Sequence, residues 1–277
     1  MEIIIFPFFL HIYLLEMIIL NFKVGDIVTR KSHNNDIVFK IIGIDGNVVL
    51  LKGVDLRIYV DSYIDDLVLS KVKNTDDSII EDNLKNINID RDSYFYLPGK
   101  VLHIDGDNEY LDRCMNFYNK MGVKANGVMI SENVINKKVL SLLKEYRPDI
   151  LVITGHDAFF NRNSDKNNIR NYQNSINFVS AIKEARRYEK NQDKLIIIAG
   201  ACQSNYEELI KAGANFASSP KRINIHALDP AIIASSIAFS DRNQSIDLIN
   251  VIEKTKYGSD GIGGIITSGT MYVGYPR

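Results

Sequence analysis

The chain has 277 residues, of which 45% are hydrophobic and 24% are charged, a composition typical of a globular protein with room for one large domain or a large and a small one. Opposite charges nearly cancel, to a formal net charge of −1 at pH 7, so the overall charge does not indicate a nucleic-acid partner. The two cysteines, Cys114 and Cys202, are far apart in sequence, which argues against a disulfide framework and favours a reducing, cytoplasmic compartment. No motif predicts a cofactor or a metal site.

Residues 1–20 are a hydrophobic outlier. Pro7, His11 and Glu16 interrupt the apolar run, which therefore falls short of the roughly 20 uninterrupted apolar residues of a membrane-spanning helix. The segment also lacks the basic start and small-residue cleavage site of a secretory signal. Three interpretations stay open: read-through upstream of a true start at Met17, an interfacial anchor, or a signal. We do not expect the function to require a membrane.

Residues 22–70 carry the pattern of a small all-β domain. Four or five short apolar runs are separated by turn sequences such as His33-Asn34-Asn35 and Asp45-Gly46-Asn47. This pattern predicts an SH3-like β-barrel. Residues 71–98, rich in Asn and Asp, predict an extended linker to a larger domain that spans residues 99–277.

In the larger domain, apolar runs alternate with helical stretches. The predicted strands are 101–104, 127–130, 150–154, 195–200 and a shorter one around 215–217. The predicted helices lie near 108–121, 133–146, 171–190 and 204–212, with another from Pro230. Strands that are apolar throughout, each followed by a helix, predict a parallel sheet with helices on both faces.

Unusual polar sequences follow three of these strands: Asp105-Gly106-Asp107, Thr154-Gly155-His156-Asp157 and Gly200-Ala201-Cys202-Gln203-Ser204. In open parallel sheets, ligands bind beyond the carboxyl ends of the strands. If the strands are neighbours, we expect His156 and Cys202 to face the same crevice.

This placement predicts a cysteine hydrolase. Cys202 is the candidate nucleophile, because a following helix would favour its thiolate, and His156 is the candidate general base. Backbone N–H groups near the nucleophile could bind the oxyanion. The candidates for that role are Gly155, Asp157 and Gln203.

The strand ends also supply carboxylates. Asp105 and Asp107 are the candidate substrate-binding residues, and with Asp157 they favour Arg immediately before the cleaved bond, since Arg pairs with carboxylates in a bidentate geometry. The competing interpretation is that these aspartates cap helices and turns.

Two other functions stay open. An elbow like that of class I amidotransferases or DJ-1-like proteins would pair Cys202 with a base later in the chain, which points to His226. A non-enzymatic scaffold would leave Cys202 structural. Cys114 lies on the apolar side of its predicted helix, which is typical of an inert core thiol.

The segments ILVITGH and IIIAGACQS resemble the layout of caspase-like cysteine peptidases, in which His follows one apolar strand and Ala-Cys follows the next, roughly 50 residues later. Those enzymes usually have Gly after the His. Here Gly155 precedes His156 and Asp157 follows it, which departs from the pattern on the side of the oxyanion donor.

A longer resemblance covers nearly the whole chain from Val24 onward. It is carried by VGDIVTRKSHNNDIVFKI, PGKVLHIDGD, RPDILVITGHDA, GACQSNYEELIKAGANFASSPKRINIHALDP and YGSDGIGGI. These segments are similar to the YabG family of sporulation-specific peptidases. The resemblance implies protein substrates from the spore coat and cortex, processed in the mother cell of a sporulating bacterium. Residues 1–20 take no part in it, which favours the start at Met17.

Overall fold

The computed structural model describes residues 22–70, 94–160 and 165–275. They fall into two compact units, divided between Thr75 and Asp76. The predictions for residues 1–20 and for most of the linker lie outside the described residues. None of the helices in the described ranges combines the length and the apolar character needed to cross a membrane.

The first unit is an antiparallel sheet of five strands in the order β4-β3-β2-β1-β5. The strands are β1 Ile27–Arg30, β2 Phe39–Asp45, β3 Val48–Gly53, β4 Tyr59–Tyr63 and β5 Leu67–Leu69. Alternate residues of β2 and β3, among them Phe39, Ile41, Val49 and Leu51, are buried on one face. The predicted short strands are therefore confirmed. Closure into an SH3-like barrel stays a prediction, because no pairing of β4 with β5 is seen in the described residues.

The second unit is built on a six-stranded sheet in the order β12-β11-β10-β9-β7-β8. Its strands are β7 Val101–Asp105, β8 Ala125–Met129, β9 Ile150–Thr154, β10 Ile196–Ala199, β11 Phe216–Ser218 and β12 Ile262–Gly264. Five of them run parallel, as predicted, and β12 runs antiparallel to β11 at the edge. The sheet is thus mixed rather than wholly parallel.

A separate two-stranded ribbon pairs β6, Phe95–Leu97, with β13, Tyr272–Gly274. β6 falls at the end of the predicted linker, so this part of the linker is a strand. Its partner comes from the other end of the domain, which the local sequence does not reveal.

Helices cover both faces of the six-stranded sheet. They are α1 Asn108–Met121, α2 Glu132–Tyr146, α3 Ser175–Tyr188, α4 Tyr206–Lys211, α5 Asp229–Ala238, α6 Leu248–Glu253 and α7 Gly258–Gly261. α1, α5 and α6 pack on one face, and α2, α3 and α4 pack on the other. Alternate residues along β9 point to opposite cores, for example Val152 to the first and Ile153 to the second. Both faces of the strand are therefore buried, which explains its continuous apolar sequence.

Candidate active site

The site lies at the carboxyl edge of the sheet, where β7 and β9 are adjacent parallel strands. In the strand register Asp105 is the partner of Thr154. Asp107 and His156 each lie two residues beyond that pair. They therefore occupy equivalent positions past two neighbouring strand ends, and His156 Nε2 lies 3.2 Å from Asp107 Oδ2.

The same relation holds between β9 and β10. Ile153 is the partner of Ala199, and His156 and Cys202 each lie three residues beyond that pair. Adjacent strands are about 4.8 Å apart. Asp107, His156 and Cys202 thus follow three neighbouring strands, in that order across the sheet.

The structure holds His156 from several sides. Its backbone N–H donates to Glu132 Oε1 at 2.8 Å, and its carbonyl oxygen accepts from Asn174 Nδ2 at 2.8 Å. The ring of Tyr110 lies beside the imidazole, with centroids 5.6 Å apart. The His156 side chain is only 12% exposed. The imidazole is therefore fixed in place at the rim of the sheet.

Glu132 is a site residue that the sequence did not reveal. It is the first residue of α2, and its carboxylate enters the space between two strand-end loops. A Cβ atom on Gly106 would lie 2.3 Å from Glu132 Oε1, and one on Gly155 would lie 2.4 Å from the same oxygen. The two glycines therefore leave room for the carboxylate that binds the backbone of His156. Gly155 was predicted as an oxyanion donor, and this packing role comes in addition.

Asp157 joins the loop after β9 to its surroundings. Its Oδ1 accepts from the backbone N–H of Ala158 at 2.9 Å and of Asn174 at 2.7 Å. Its Oδ2 accepts from the hydroxyls of Ser175 at 2.5 Å and Ser204 at 2.9 Å. Burial raises the pKa of Asp157, although these hydrogen bonds act in the opposite direction.

Ser204 extends this cluster to the loop that carries the cysteine. Its Oγ accepts from the backbone N–H of Ala201 at 2.9 Å while its hydroxyl donates to Asp157. The side chain of Asp157 thus connects the loop of His156 directly to the loop of Cys202. The spacing of the two loops is therefore fixed by buried hydrogen bonds.

Cys202 lies in the turn between β10 and α4, and it is 1% exposed. Its sulfur accepts from the backbone N–H of Ile225 at 3.3 Å and lies 3.8 Å from the carbonyl oxygen of the same residue. The expectation that Cys202 sits at a helix N-terminus is wrong, because α4 begins at Tyr206 and is capped by Asn205.

The backbone of Gln203 does not fit the predicted oxyanion role in this conformation, because its N–H donates to the carbonyl oxygen of Ile223 at 3.1 Å. Gln203 has a φ of 59°, and Ser219 and Arg222 in the neighbouring loop have φ values of 66° and 58°. Left-handed backbone at residues other than glycine is uncommon and concentrates at functional sites. Three such residues mark these two loops as a constrained region.

Asp105 belongs to a buried network inside the sheet. It is fully buried, and it accepts from the backbone N–H of Asp107 at 2.9 Å and from Thr154 Oγ1 at 2.7 Å. Thr154 Oγ1 lies 2.8 Å from His103 Nε2, and His103 Nδ1 lies 3.0 Å from the hydroxyl of Tyr118. This position does not fit contact with a substrate side chain, which corrects the prediction for Asp105.

The alternative base, His226, lies in the turn before α5 and is 3% exposed. Its Nδ1 accepts from the backbone N–H of Leu228 at 3.3 Å, and its own N–H donates to Asp229 Oδ2 at 2.9 Å. A neutral imidazole that accepts at Nδ1 carries its proton on Nε2. In this arrangement neither ring nitrogen is set to take a thiol proton.

The second cysteine is in the core. Cys114 lies on α1 and is fully buried, with its sulfur 3.5 Å from the carbonyl oxygen of Ala227. Within the described part of the chain, no group of three or more His, Cys, Asp or Glu side chains could hold a metal ion.

The sheet and the polar residues at its carboxyl edge define an α/β protein with a candidate site where parallel sheets commonly bind ligands. The family described as YabG peptidase U57 matches residues 23–276, and the chain belongs to this family. The sporulation-specific protease YabG of Bacillus subtilis (strain 168) is 40% identical over 286 residues, an alignment that covers 93% of this chain and 99% of that protein. The family resemblance found in the sequence is confirmed, and the chain is a peptidase of sporulation.

Proposed function

We propose that this peptidase is a cysteine endopeptidase in which Cys202 is the nucleophile and His156 the general base. The observation that carries the proposal is that each of the two residues comes three positions after a member of the Ile153–Ala199 register pair, in the loops that follow the adjacent strands β9 and β10. The hydrogen bonds from Asp157 to Ser204, and from Ser204 to Ala201, support it because they connect the two loops.

In the proposed reaction, His156 takes the proton of the Cys202 thiol, and the thiolate attacks the carbonyl carbon of the scissile peptide bond. The protonated imidazole then gives its proton to the leaving amine, and a thioester forms. Water next gives a proton to His156 as its oxygen attacks the thioester carbon. The C–S bond breaks, the imidazolium returns its proton to the sulfur and restores the thiol, and the new carboxylic acid leaves and loses its proton to solvent. Among the predicted oxyanion donors, Gly155 and Asp157 stay the candidates, since Gln203 N–H is engaged by Ile223.

The geometry gives less support to the amidotransferase-like alternative, which pairs Cys202 with His226. The contact from Leu228 N–H uses His226 Nδ1 as an acceptor, so the other nitrogen carries a proton. The scaffold alternative loses its basis, because the family is one of peptidases.

For substrates we propose spore coat and cortex-associated proteins, and for location the mother-cell cytoplasm, with association with the coat as a second site. The support is that the relative from B. subtilis is a sporulation-specific protease. No nucleic-acid partner and no cofactor enter the proposal.

For the N-terminal sheet we keep the SH3-like barrel as a proposal. A bulge in β2 between Ile41 and Gly43 supports it, because bulges bend a sheet. A 3-10 turn, Ile64–Asp66, also lies between β4 and β5 and redirects the chain so that β5 pairs with β1.

Four single variants test the mechanism: Cys202→Ala, His156→Ala, His226→Ala and, as a matched control for loss of a thiol, Cys114→Ala. Each is mixed with extracted spore coat proteins, and cleavage is followed by gel and by mass spectrometry of the fragment ends. We expect cleavage to be lost in the first two and kept in the last two, with thermal unfolding confirming that each variant folds. Loss in Cys202→Ala and His226→Ala, with cleavage kept in His156→Ala, would support the alternative. Cleavage by Cys202→Ala would refute both.

A further inference from the structure

We infer that Asp107 is the positioning residue of the catalytic pair: it fixes the orientation and the tautomer of His156, so that Nδ1 is the nitrogen that takes the Cys202 proton. The inference rests on the proposed roles of Cys202 and His156. It replaces the substrate-binding role that the sequence indicated for Asp107.

The two oxygens of the Asp107 carboxylate have different partners. Oδ1 accepts from the backbone N–H groups of Glu109 at 2.9 Å and Tyr110 at 3.3 Å, which makes Asp107 the N-cap of α1. Oδ2 lies 3.2 Å from His156 Nε2. Since the helix holds one oxygen, the other is aimed at the imidazole in a single orientation.

The backbone of Asp107 is fixed as well. Its N–H donates to Asp105, and Asp105 is held in turn by Thr154 within the buried network. Asp107 itself is 8% exposed. A charge-assisted hydrogen bond in so dry a place is stronger and better directed than one at the surface.

The partner of Nε2 decides the chemistry of the ring. A carboxylate oxygen only accepts, so Nε2 carries a proton, and in the neutral imidazole the lone pair is then on Nδ1. After Nδ1 takes the thiol proton, the imidazolium keeps its hydrogen bond to the negative carboxylate. The three residues also lie in the required order, since His156 follows the strand between those of Asp107 and Cys202.

Asn and Ser at position 107 separate this role from capping, because both residues cap helices about as well as Asp. In Asp107→Asn the one side-chain oxygen stays with the α1 N–H groups, so the amide NH₂ faces His156. That group donates, and it turns Nε2 into an acceptor with the proton on Nδ1, the wrong nitrogen. Ser is too short to reach the ring and leaves both tautomers accessible.

We therefore expect an unusual order of activity, with the wild type first, Asp107→Ser second and the near-isosteric Asp107→Asn last. For the Asn variant kcat should fall by roughly 100-fold or more, with KM within about 2-fold, since a His held in the wrong tautomer lacks its base function. For the Ser variant a fall of roughly 10-fold is expected, or about 1.4 kcal/mol of activation free energy.

The matched control is Asp247→Asn, the same change at another N-cap, where the side chain accepts from Asn250 N–H. It should leave kcat unchanged. All three variants should unfold within a few degrees of the wild type, because each position keeps a capping residue.

The ring itself gives a second readout. In full-length protein labelled with ¹⁵N-histidine, with the His156 signals identified from the His156→Ala spectrum, the wild type should show the Nε2–H tautomer and Asp107→Asn the Nδ1–H tautomer. An Nδ1–H tautomer in the wild type, or Asp107→Asn at full activity, would overturn the inference. Either result leaves the proposed function standing if Cys202→Ala is inactive in the same assay. If Cys202→Ala is active, the proposed function itself is refuted.

Discussion

Replacing Asp157 by Ala tests whether one buried carboxylate holds the loops of His156 and Cys202 together. Asp157 is 6% exposed, and its side chain accepts four hydrogen bonds, two from backbone N–H groups and two from hydroxyls. Ala removes all four acceptor contacts at once and leaves the donors of Ala158, Asn174, Ser175 and Ser204 in place.

The expected cost follows from these contacts. A buried donor left without its acceptor costs about 1–3 kcal/mol, and hydroxyls recover part of it by rotating to other acceptors. Removal of the carboxylate also removes the unfavourable desolvation that raises its pKa, and this gain offsets another part of the loss. We expect a net loss of roughly 3–5 kcal/mol. For a domain of this size about 2–4 °C of melting temperature correspond to 1 kcal/mol, so Tm should fall by roughly 10 °C.

Scanning calorimetry and urea unfolding measure the loss, and peptidase activity at a temperature where the variant is folded measures the effect on the site. Asp165→Ala is the control, since among the described residues that exposed carboxylate accepts only from Asn167 N–H, at 2.9 Å. It should change stability by less than about 0.5 kcal/mol. If Asp157→Ala unfolds at the same temperature as Asp165→Ala, the cluster does not hold the loops.

Three further predictions concern the same edge of the sheet. Burial raises the pKa of Asp157 in the folded state, so the stability gained from its protonation is fully present below the unfolded pKa of about 3.9 and is lost as pH rises through the raised pKa. The urea midpoints of the wild type and of Asp157→Asn, which stays neutral, should therefore converge towards low pH. A difference between the midpoints that stays constant with pH would contradict a raised pKa. Gly200 has a φ of 106°, and a Cβ there would lie 2.8 Å from Leu209 Cδ1, so Gly200→Ala should lower the free energy of unfolding by roughly 2–3 kcal/mol. Gly122 has a φ of 73° with nothing within 4 Å of a Cβ, so Gly122→Ala should lower it by about 1 kcal/mol. Equal Tm values for the two variants would show that the close contact at Gly200 has no cost. Iodoacetamide should label Cys202 before Cys114 under native conditions, because opening of a loop exposes Cys202 whereas only displacement of α1 exposes Cys114. If mass spectrometry finds Cys114 labelled first, Cys202 is not the more accessible thiol.

The strands and helices that carry the site could be predicted because their sequences are locally consistent. β9 and β10 are continuous apolar runs, each followed by a polar turn, and the structure places them side by side. β12 was missed because its three residues, Ile262–Gly264, include two glycines and show no strand pattern. Its pairing depends on β11, which lies far away in sequence.

For the candidate site, the sequence predicts which residues follow the strand ends but not the contacts they make. His156 and Cys202 could be identified because they follow apolar strands, at the edge where open parallel sheets bind ligands. Glu132 was missed because its role depends on the space above Gly106 and Gly155, and that space exists only once three segments meet. The signal in hindsight is the pair of glycines at corresponding positions after β7 and β9. The roles of Asp107 and Asp157 likewise depend on long-range partners.

The choice of substrate is where the contacts of the aspartates matter most. A preference for Arg before the cleaved bond was predicted from Asp105, Asp107 and Asp157. In the structure the first is fully buried, the second contacts α1 and His156, and the third accepts four internal hydrogen bonds. If Asp107 acts through His156, Asp107→Asn slows cleavage of every peptide by a similar factor, and the ranking of residues before the cleaved bond stays that of the wild type. Profiling both proteins on one peptide library tests this. If Asp107 instead binds a guanidinium group, only the cleavage rates of Arg-containing peptides fall, by about 10-fold or more. A selective fall of that kind would support a substrate-binding role for Asp107.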